Sequence, residues 1–221
     1  MAWQIVAAAV GGLAVGVWGW VKRDKVVAAW DSLVIALRGK KVTVLGARGS
    51  GKTTLLTFLS KGELPKGNAQ TTSAKRVAAN RLKLKDLQLD LKETKDLPGG
   101  EAAIQQWKEL HDASDFVIYL IKAHEMDVGR VEYDLKLINE WQEKHKSKPR
   151  LLVVATHMDL DKGFVMLKEN EQGDFHDRFV GKLQRCFSSF KTMPSLYLGG
   201  LNNQSNTDDL VIKIIGWMHD A

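Results

Sequence analysis

The stretch KKVTVLGARGSGKTTLLTFLS limits what this chain can fold into more than any other. Val42, Val44 and Leu45 make a short apolar run suited to a buried strand. Leu55, Leu56, Phe58 and Leu59 then recur at helical spacing. Between them, Gly46-Ala47-Arg48-Gly49-Ser50-Gly51-Lys52-Thr53 matches Gly-x4-Gly-Lys-Ser/Thr, in the strand–loop–helix context that the pattern requires. Glycines let backbone N–H groups turn inward and approach phosphate oxygens with no Cβ in the way. The helix N-terminus adds its positive dipole end. The expected phosphate-binding set is Gly46, Arg48, Gly49, Ser50, Gly51, Lys52, Thr53 and Thr54. Lys52 would reach the β- and γ-phosphates, and Thr53 would offer its hydroxyl to Mg²⁺.

Downstream, FVIYLIK (116–122) and RLLVVA (150–155) are apolar throughout, with a helical stretch at 131–145 between them. Continuous apolar strands alternating with helices predict an α/β fold with a mostly parallel sheet covered on both faces. Leu82/Leu84 and Leu87/Leu89/Leu91 alternate around Lys85-Asp86 and read as a two-strand hairpin. SLYLGGLNN (195–203) reads as the last strand and its loop, and 208–218 as a closing helix. The phosphate loop alone leaves a GTPase, an ATPase and a nucleotide kinase all open.

Order and spacing narrow the choice. Thr71 and Thr72 sit in a polar loop, paired strands follow, and then comes Asp96-Leu-Pro-Gly99. This layout resembles the switch regions of Ras-like small GTPases. The wording QTTS and DLPGG is most similar to the Arf branch and the signal-recognition-particle receptor β subunit. The resemblance covers residues 41–221 and implies a three-layer P-loop G-domain with a six-stranded sheet, binding GTP or GDP with Mg²⁺. It assigns Thr72 (or Thr71), Thr53 and Asp96 to the metal. It gives Lys52, Thr72 and Gly99 the γ-phosphate-sensing and catalytic roles. It reads THMD, after the 150–155 strand, as a variant of the guanine-reading Asn-Lys-x-Asp, with Thr156, His157 and Asp159 at the base and Gly199 and Gly200 on the capping loop. In that family the Asp accepts hydrogen bonds from the guanine N1 and N2 edge, Asn braces the loop, and the Lys stem stacks on the base.

Several positions depart from the family. Glu93 and Lys95 stand where strand residues are usually apolar, and Gly100 replaces the Gln that orients the attacking water. Arg48 occupies a loop position that Ras proteins keep as Gly, and the segment from Asp159 to Ser195 is longer than usual. Glu101 and His111 are the nearest substitute water-positioners in sequence.

The N-terminus adds a further expectation. Residues 3–21 carry no charge, Trp3, Trp18 and Trp20 flank the run, and Lys22, Arg23 and Lys25 follow. About 19 residues at about 1.5 Å rise cover roughly 30 Å, enough to span a bilayer core. The charge order is the reverse of a signal peptide's. The sequence therefore predicts a transmembrane anchor over 1–25, a juxtamembrane helix over 26–40 and a G-domain over 41–221. The protein would then be a single-pass membrane protein with its G-domain on the cytoplasmic side. Gly12 and Gly16 form a Gly-x-x-x-Gly pair of the kind through which two anchors pack into a homodimer. The lone Cys186 excludes an intrachain disulfide framework, and six histidines without ligand spacing give no zinc site. The net charge of +6 comes from scattered lysines with no aromatic-interleaved basic motif, so nucleic acid is not an expected partner. Three functional readings follow: a membrane-anchored guanine-nucleotide switch with a protein effector and slow hydrolysis, an anchored docking subunit holding GTP permanently, and a P-loop ATPase.

Overall fold

A computed structural model describes residues 30–64, 89–93, 101–144, 148–167 and 171–220. The elements are α1 (Trp30–Leu37), β1 (Lys41–Gly46), α2 (Lys52–Lys61), β2 (Asp90–Glu93), α3 (Glu101–Asp112), β3 (Phe116–Lys122), α4 (Val128–Lys144), β4 (Arg150–Thr156), α5 (Lys162–Val165), α6 (Gln172–Lys182), β5 (Ser195–Leu198) and α7 (Gln204–His219). Single 3₁₀ turns follow β3 (Ala123–Glu125), β4 (Met158–Leu160) and α6 (Gln184–Phe187).

The five strands form one sheet in the order β2-β1-β3-β4-β5, and every pairing is parallel. Parallel neighbours need crossovers, and crossovers of one hand put their helices on opposite faces when the chain reverses its direction across the sheet. The side-chain alternation of the strands shows the result. Val42, Val44, Phe116, Ile118, Leu120, Leu152 and Val154 share a core with residues of α1, α2 and α7. Leu45, Val117, Tyr119, Ile121, Leu151, Val153 and Ala155 point the other way, into a core built with α4, α6 and the 3₁₀ turn at Gln184–Phe187. Two buried faces explain why these strands read as unbroken apolar runs.

The helical spacing of Leu33, Val34 and Leu37 is realised in α1. Leu33 and Leu37 are buried in the first core, while Ile35 is 79% exposed on the opposite side. This helix is thus packed against the sheet domain. The expected hairpin is described only in its second arm, which begins later than the leucine pattern suggests and runs on through Glu93, paired with Val44. Its first arm, at Leu82 and Leu84, lies outside the described residues, so the sheet has five described strands where the sequence predicts six.

The expectation of a single-pass membrane protein is corrected here. Among the described residues no helix is long and apolar enough to cross a membrane. The longest, α4, has 17 residues and carries Arg130, Glu132, Asp134, Lys136, Glu140 and Glu143. Residues 3–21, with Gly12 and Gly16, lie outside the described residues, and the single-pass placement has no described span to rest on.

A buried polar contact fastens α4 to the middle of the sheet. Tyr119 Oη donates to Asp134 Oδ2 at 2.9 Å, and Arg130 Nε pairs with Asp134 Oδ1 at 2.8 Å. Burial pushes the Asp134 carboxyl above its usual range, against the opposing effect of its hydrogen bonds from Tyr119 and Arg130. Replacing Asp134 by Ala strands the buried Tyr119 hydroxyl, and the expected loss is about 2–4 kcal/mol in urea-unfolding free energy. A group whose folded-state pKa is raised contributes stability below its unfolded pKa and loses it as pH rises through the folded one. Relative to Asp134→Asn, the wild type should therefore lose stability as pH rises above the ordinary carboxylate range and through the raised pKa of Asp134.

Candidate nucleotide site

In a 2-1-3-4-5 sheet the chain leaves β1 in one direction and β3 in the other, which opens a crevice at the carboxyl ends of those two strands. The phosphate loop begins there. Gly46 ends β1 at φ +139°, and a Cβ on it would lie 2.4 Å from the Leu120 carbonyl oxygen of β3. No other residue fits so close to a neighbouring backbone. Gly51 is the N-cap of α2, at φ +95°, and no side chain caps that helix. In contrast, Asn203 Oδ1 caps α7 by accepting from Asn206 N–H, and Asp161 caps α5 by accepting from Phe164 N–H. The N-terminus of α2 thus carries a glycine and no side-chain cap, as a phosphate cradle requires.

Lys52 is buried, and its Nζ donates to the carbonyls of Gly46 and Ala47 at 3.0 and 2.9 Å. Its ammonium is therefore held over the loop that it would share with phosphates. Thr53 and Arg48 are exposed, Thr53 in the first turn of α2 and Arg48 at the loop's tip. Ser50 is fully buried, and its Oγ has no hydrogen-bond partner among the described residues. A helix N-terminus without a side-chain cap, a folded-over lysine and an exposed threonine in the first turn fit a phosphate chain and its Mg²⁺.

The base loop follows β4. Thr156 is fully buried, and its Oγ1 lies 2.8 Å from Ser50 O and 3.1 Å from Ile121 O. This contact spans 106 residues and ties the base loop to the phosphate loop. His157 takes the left-handed conformation at φ 61°, the single non-glycine residue to do so among those described, and turns the chain into the Met158–Leu160 3₁₀ turn. Burial lowers the pKa of its imidazole. Asp159 is half-buried, and its Oδ1 would lie 2.9 Å from a Cβ on Gly200. Two backbone bonds bring the third loop in: Gly199 N–H donates to Ala155 O at 3.0 Å, and Met158 N–H donates to Gly199 O at 3.3 Å. Leu201 then covers Gly51, where an added Cβ would meet its Cδ1 at 2.6 Å.

The structure thus gathers Gly46, Gly49, Ser50, Gly51, Lys52, Thr53, Thr156, His157, Asp159, Gly199 and Gly200 at the carboxyl edge of the sheet. Thr71, Thr72, Asp96, Gly99 and Gly100 lie outside the described residues. His111 is not a water-positioner. It is fully buried in the last turn of α3, edge-on to Trp141 at 5.7 Å, with Nδ1 at 2.9 Å from Asp112 Oδ1. The chain after it enters the amino end of β3, at the opposite edge of the sheet from the phosphate loop.

Comparison with known proteins agrees with this geometry. The model of the ADP-ribosylation factor family matches residues 27–177. No individual curated protein matches the sequence. Among solved structures, a GTP-binding protein from the archaeon Sulfolobus solfataricus in complex with GDP is 16% identical, with a TM-score of 0.50 over 88% of this chain and 56% of that one. The small COPII coat GTPase SAR1 from Encephalitozoon cuniculi, in complex with GDP, is 16% identical over 93% of each chain, with a TM-score of 0.47. Translation elongation factor SelB from Methanococcus maripaludis, bound to a GTP analogue, is 14% identical over 83% of this chain, with a TM-score of 0.48. This chain spans 34% of SelB's length. Of these three, the Sulfolobus protein reaches a TM-score of 0.50, and at 16% identity that likeness speaks to the fold alone.

The glycine geometry predicts a graded response. Gly46→Ala forces a Cβ onto the Leu120 carbonyl and should cost about 2–4 kcal/mol of folding stability in chemical denaturation. Gly49→Ala meets nothing within 4 Å and carries only the strain of φ +74°, so about 1 kcal/mol is expected.

Proposed function

Because this chain belongs to the ADP-ribosylation factor family of small GTPases, we propose that it is a guanine-nucleotide switch that hydrolyses GTP slowly and needs a protein partner for faster turnover. The observation that carries the reading is the placement of Asp159. Its carboxylate lies against Gly200 on a loop bonded to both the phosphate loop and the end of β5. A carboxylate there accepts from the guanine N1–H and N2–H₂ groups. Adenine offers no such pair of donors, so the site discriminates by an acceptor left unpaired as much as by attraction.

The remaining roles follow the chemistry of the side chains. Backbone amides from Gly49 to Thr54 would hold the phosphate oxygens, and Lys52 would move from its loop carbonyls to the β- and γ-phosphates. Thr53, Thr72 and Asp96 would hold Mg²⁺, which neutralises charge between the β- and γ-phosphates when bound. The amide of Gly99 would sense the γ-phosphate, and the loops carrying Thr72 and Gly99 would change order with it and so select an effector.

Asp159→Asn should weaken GTP and GDP binding by about 10- to 100-fold and shift preference to xanthine nucleotides, whose edge carries the complementary acceptor. Lys52→Ala should weaken any triphosphate regardless of base. Unchanged GTP affinity in Asp159→Asn would sink the guanine reading. The nucleotide retained on purification is a second check. GDP supports the switch, GTP a permanently loaded docking subunit, and an adenine nucleotide an ATPase.

Hydrolysis should be slow because Gly100 cannot orient water as Gln does, and His111 is committed to the core. Even sites with that Gln turn over at only about 10⁻⁴ per second without a partner. Single-turnover assays on the purified protein should give a rate at or below that scale. A rate near 1 per second would mean that an unassigned group does the catalysis, with Arg48 the first to remove.

A further inference from the structure

The hydrogens of the base loop can be placed by elimination. Thr156 Oγ1 has three close neighbours: Ser50 O at 2.8 Å, Ile121 O at 3.1 Å and His157 Nδ1 at 2.9 Å. The two carbonyls can only accept, and a threonine hydroxyl has one hydrogen. Were that hydrogen directed at Nδ1, the hydroxyl would turn only lone pairs toward two carbonyl oxygens at 2.8 and 3.1 Å, a repulsive contact in a buried pocket. The hydroxyl therefore donates to a carbonyl, and His157 Nδ1–H donates to the hydroxyl. The neutral ring is in the Nδ1–H form, which is the less common one in free histidine, with its Nε2 bare. Protonation would add a hydrogen at Nε2 and leave the Nδ1–H bond in place. Around the ring, Asp159 and Glu125 favour the charged form, whereas burial, Lys122 and His124 oppose it.

This arrangement directs a single hydroxyl hydrogen. An asparagine amide brings two hydrogens to bracing contacts, but threonine brings one. Left alone, the Thr156 hydroxyl could swing between Ser50 O and Ile121 O. A donor on its other side fills one lone pair and narrows where its hydrogen can point. His157 supplies that donor from the position next in the chain, and the left-handed backbone at φ 61° accompanies it. That conformation is strained for a non-glycine residue.

We propose that His157 is a positioning residue for the nucleotide, the first member of a relay from its Nδ1–H through the Thr156 hydroxyl to the Ser50 carbonyl that holds the Asp159 loop in fixed relation to the phosphate loop. The nucleotide half of the proposal rests on the guanine reading above, and the relay itself does not.

The test uses the full chain, the release rate of fluorescent GDP, and three substitutions. His157→Asn places an amide N–H where Nδ1 stood and tolerates φ 61°. His157→Gly suits that backbone better still but has no donor. His157→Gln sets its amide at the Nε2 position. Release should stay within about twofold of wild type in Asn, and rise about 5- to 20-fold in Gly and Gln, the worth of one hydrogen bond. Thr156→Ser should hold and Thr156→Val should follow Gly. If Gly releases at the wild-type rate, or Asn at the Gly rate, the relay is overturned, and the ring acts by backbone or stacking. ¹⁵N shifts of the His157 ring in nucleotide-free protein at neutral pH should show hydrogen on Nδ1, and the opposite tautomer overturns the relay too. A wild type that does not retain GDP sinks the guanine reading, while the ring spectrum still decides the relay.

Discussion

Everything at this site depends on β1 being hydrogen-bonded on both sides, to β2 and to β3, all in one direction. Parallel pairing puts every strand's carboxyl end on the same edge, and the reversal of winding across β1 leaves that edge open at one point. The phosphate loop must turn there within the space between β1 and Leu120. That constraint is why Gly46 tolerates no side chain, and why the sequence is so restricted over these eight positions. The base loop and the Gly199–Leu201 loop arrive at the same edge because β4 and β5 run parallel to β1, with no separate device to bring them in.

Three loops on one edge are not yet one site, and the links between them are few and short. Thr156 bonds to Ser50, the 155–158 segment exchanges backbone bonds with Gly199, and Leu201 packs over Gly51. Each link joins residues far apart in the chain, so each closes a long loop whose entropy cost has already been met by the sheet. The loops can then hold a bound molecule's two ends at a fixed separation without a rigid connection of their own.

What was legible in the sequence follows the range of the interactions. The phosphate loop is local, and its strand, glycines, lysine and helix declare themselves within about twenty residues. β3 and β4 were legible because burial on both faces writes an unbroken apolar run. The bond from Thr156 to Ser50 left no signal, since nothing in either segment alone marks a partner 106 positions away. His111 was misread because nearness in sequence to the switch loop says nothing about which end of α3 a residue occupies; a full helix carried it to the far edge of the sheet. The segment from Asp159 to Ser195 looked merely long. It is built as α5 and α6, held by Phe164 edge-on to Phe175 at 5.5 Å and by Phe179 in the core, anchors too sparse to stand out by periodicity.

The two departures at the base motif make more sense together than apart. A threonine in place of asparagine removes a hydrogen from a buried contact, which by itself leaves a carbonyl short of a donor. A histidine in place of lysine removes a long stem and a fixed charge, which by itself thins the cover over a base. In this chain the second change acts on the group that the first brought in: the ring nitrogen nearest the backbone is placed to donate to the hydroxyl that replaced the amide and so to fix where its one hydrogen points. Lysine could not do this, because its ammonium sits at the end of four methylenes and would have to fold back over its own backbone to reach a neighbour's Oγ1. The cost is a left-handed residue next to a buried threonine, and the return is a brace that keeps its bond whether the ring is neutral or charged. A base loop built this way depends on local hydrogen-bond geometry where a lysine would depend on reach.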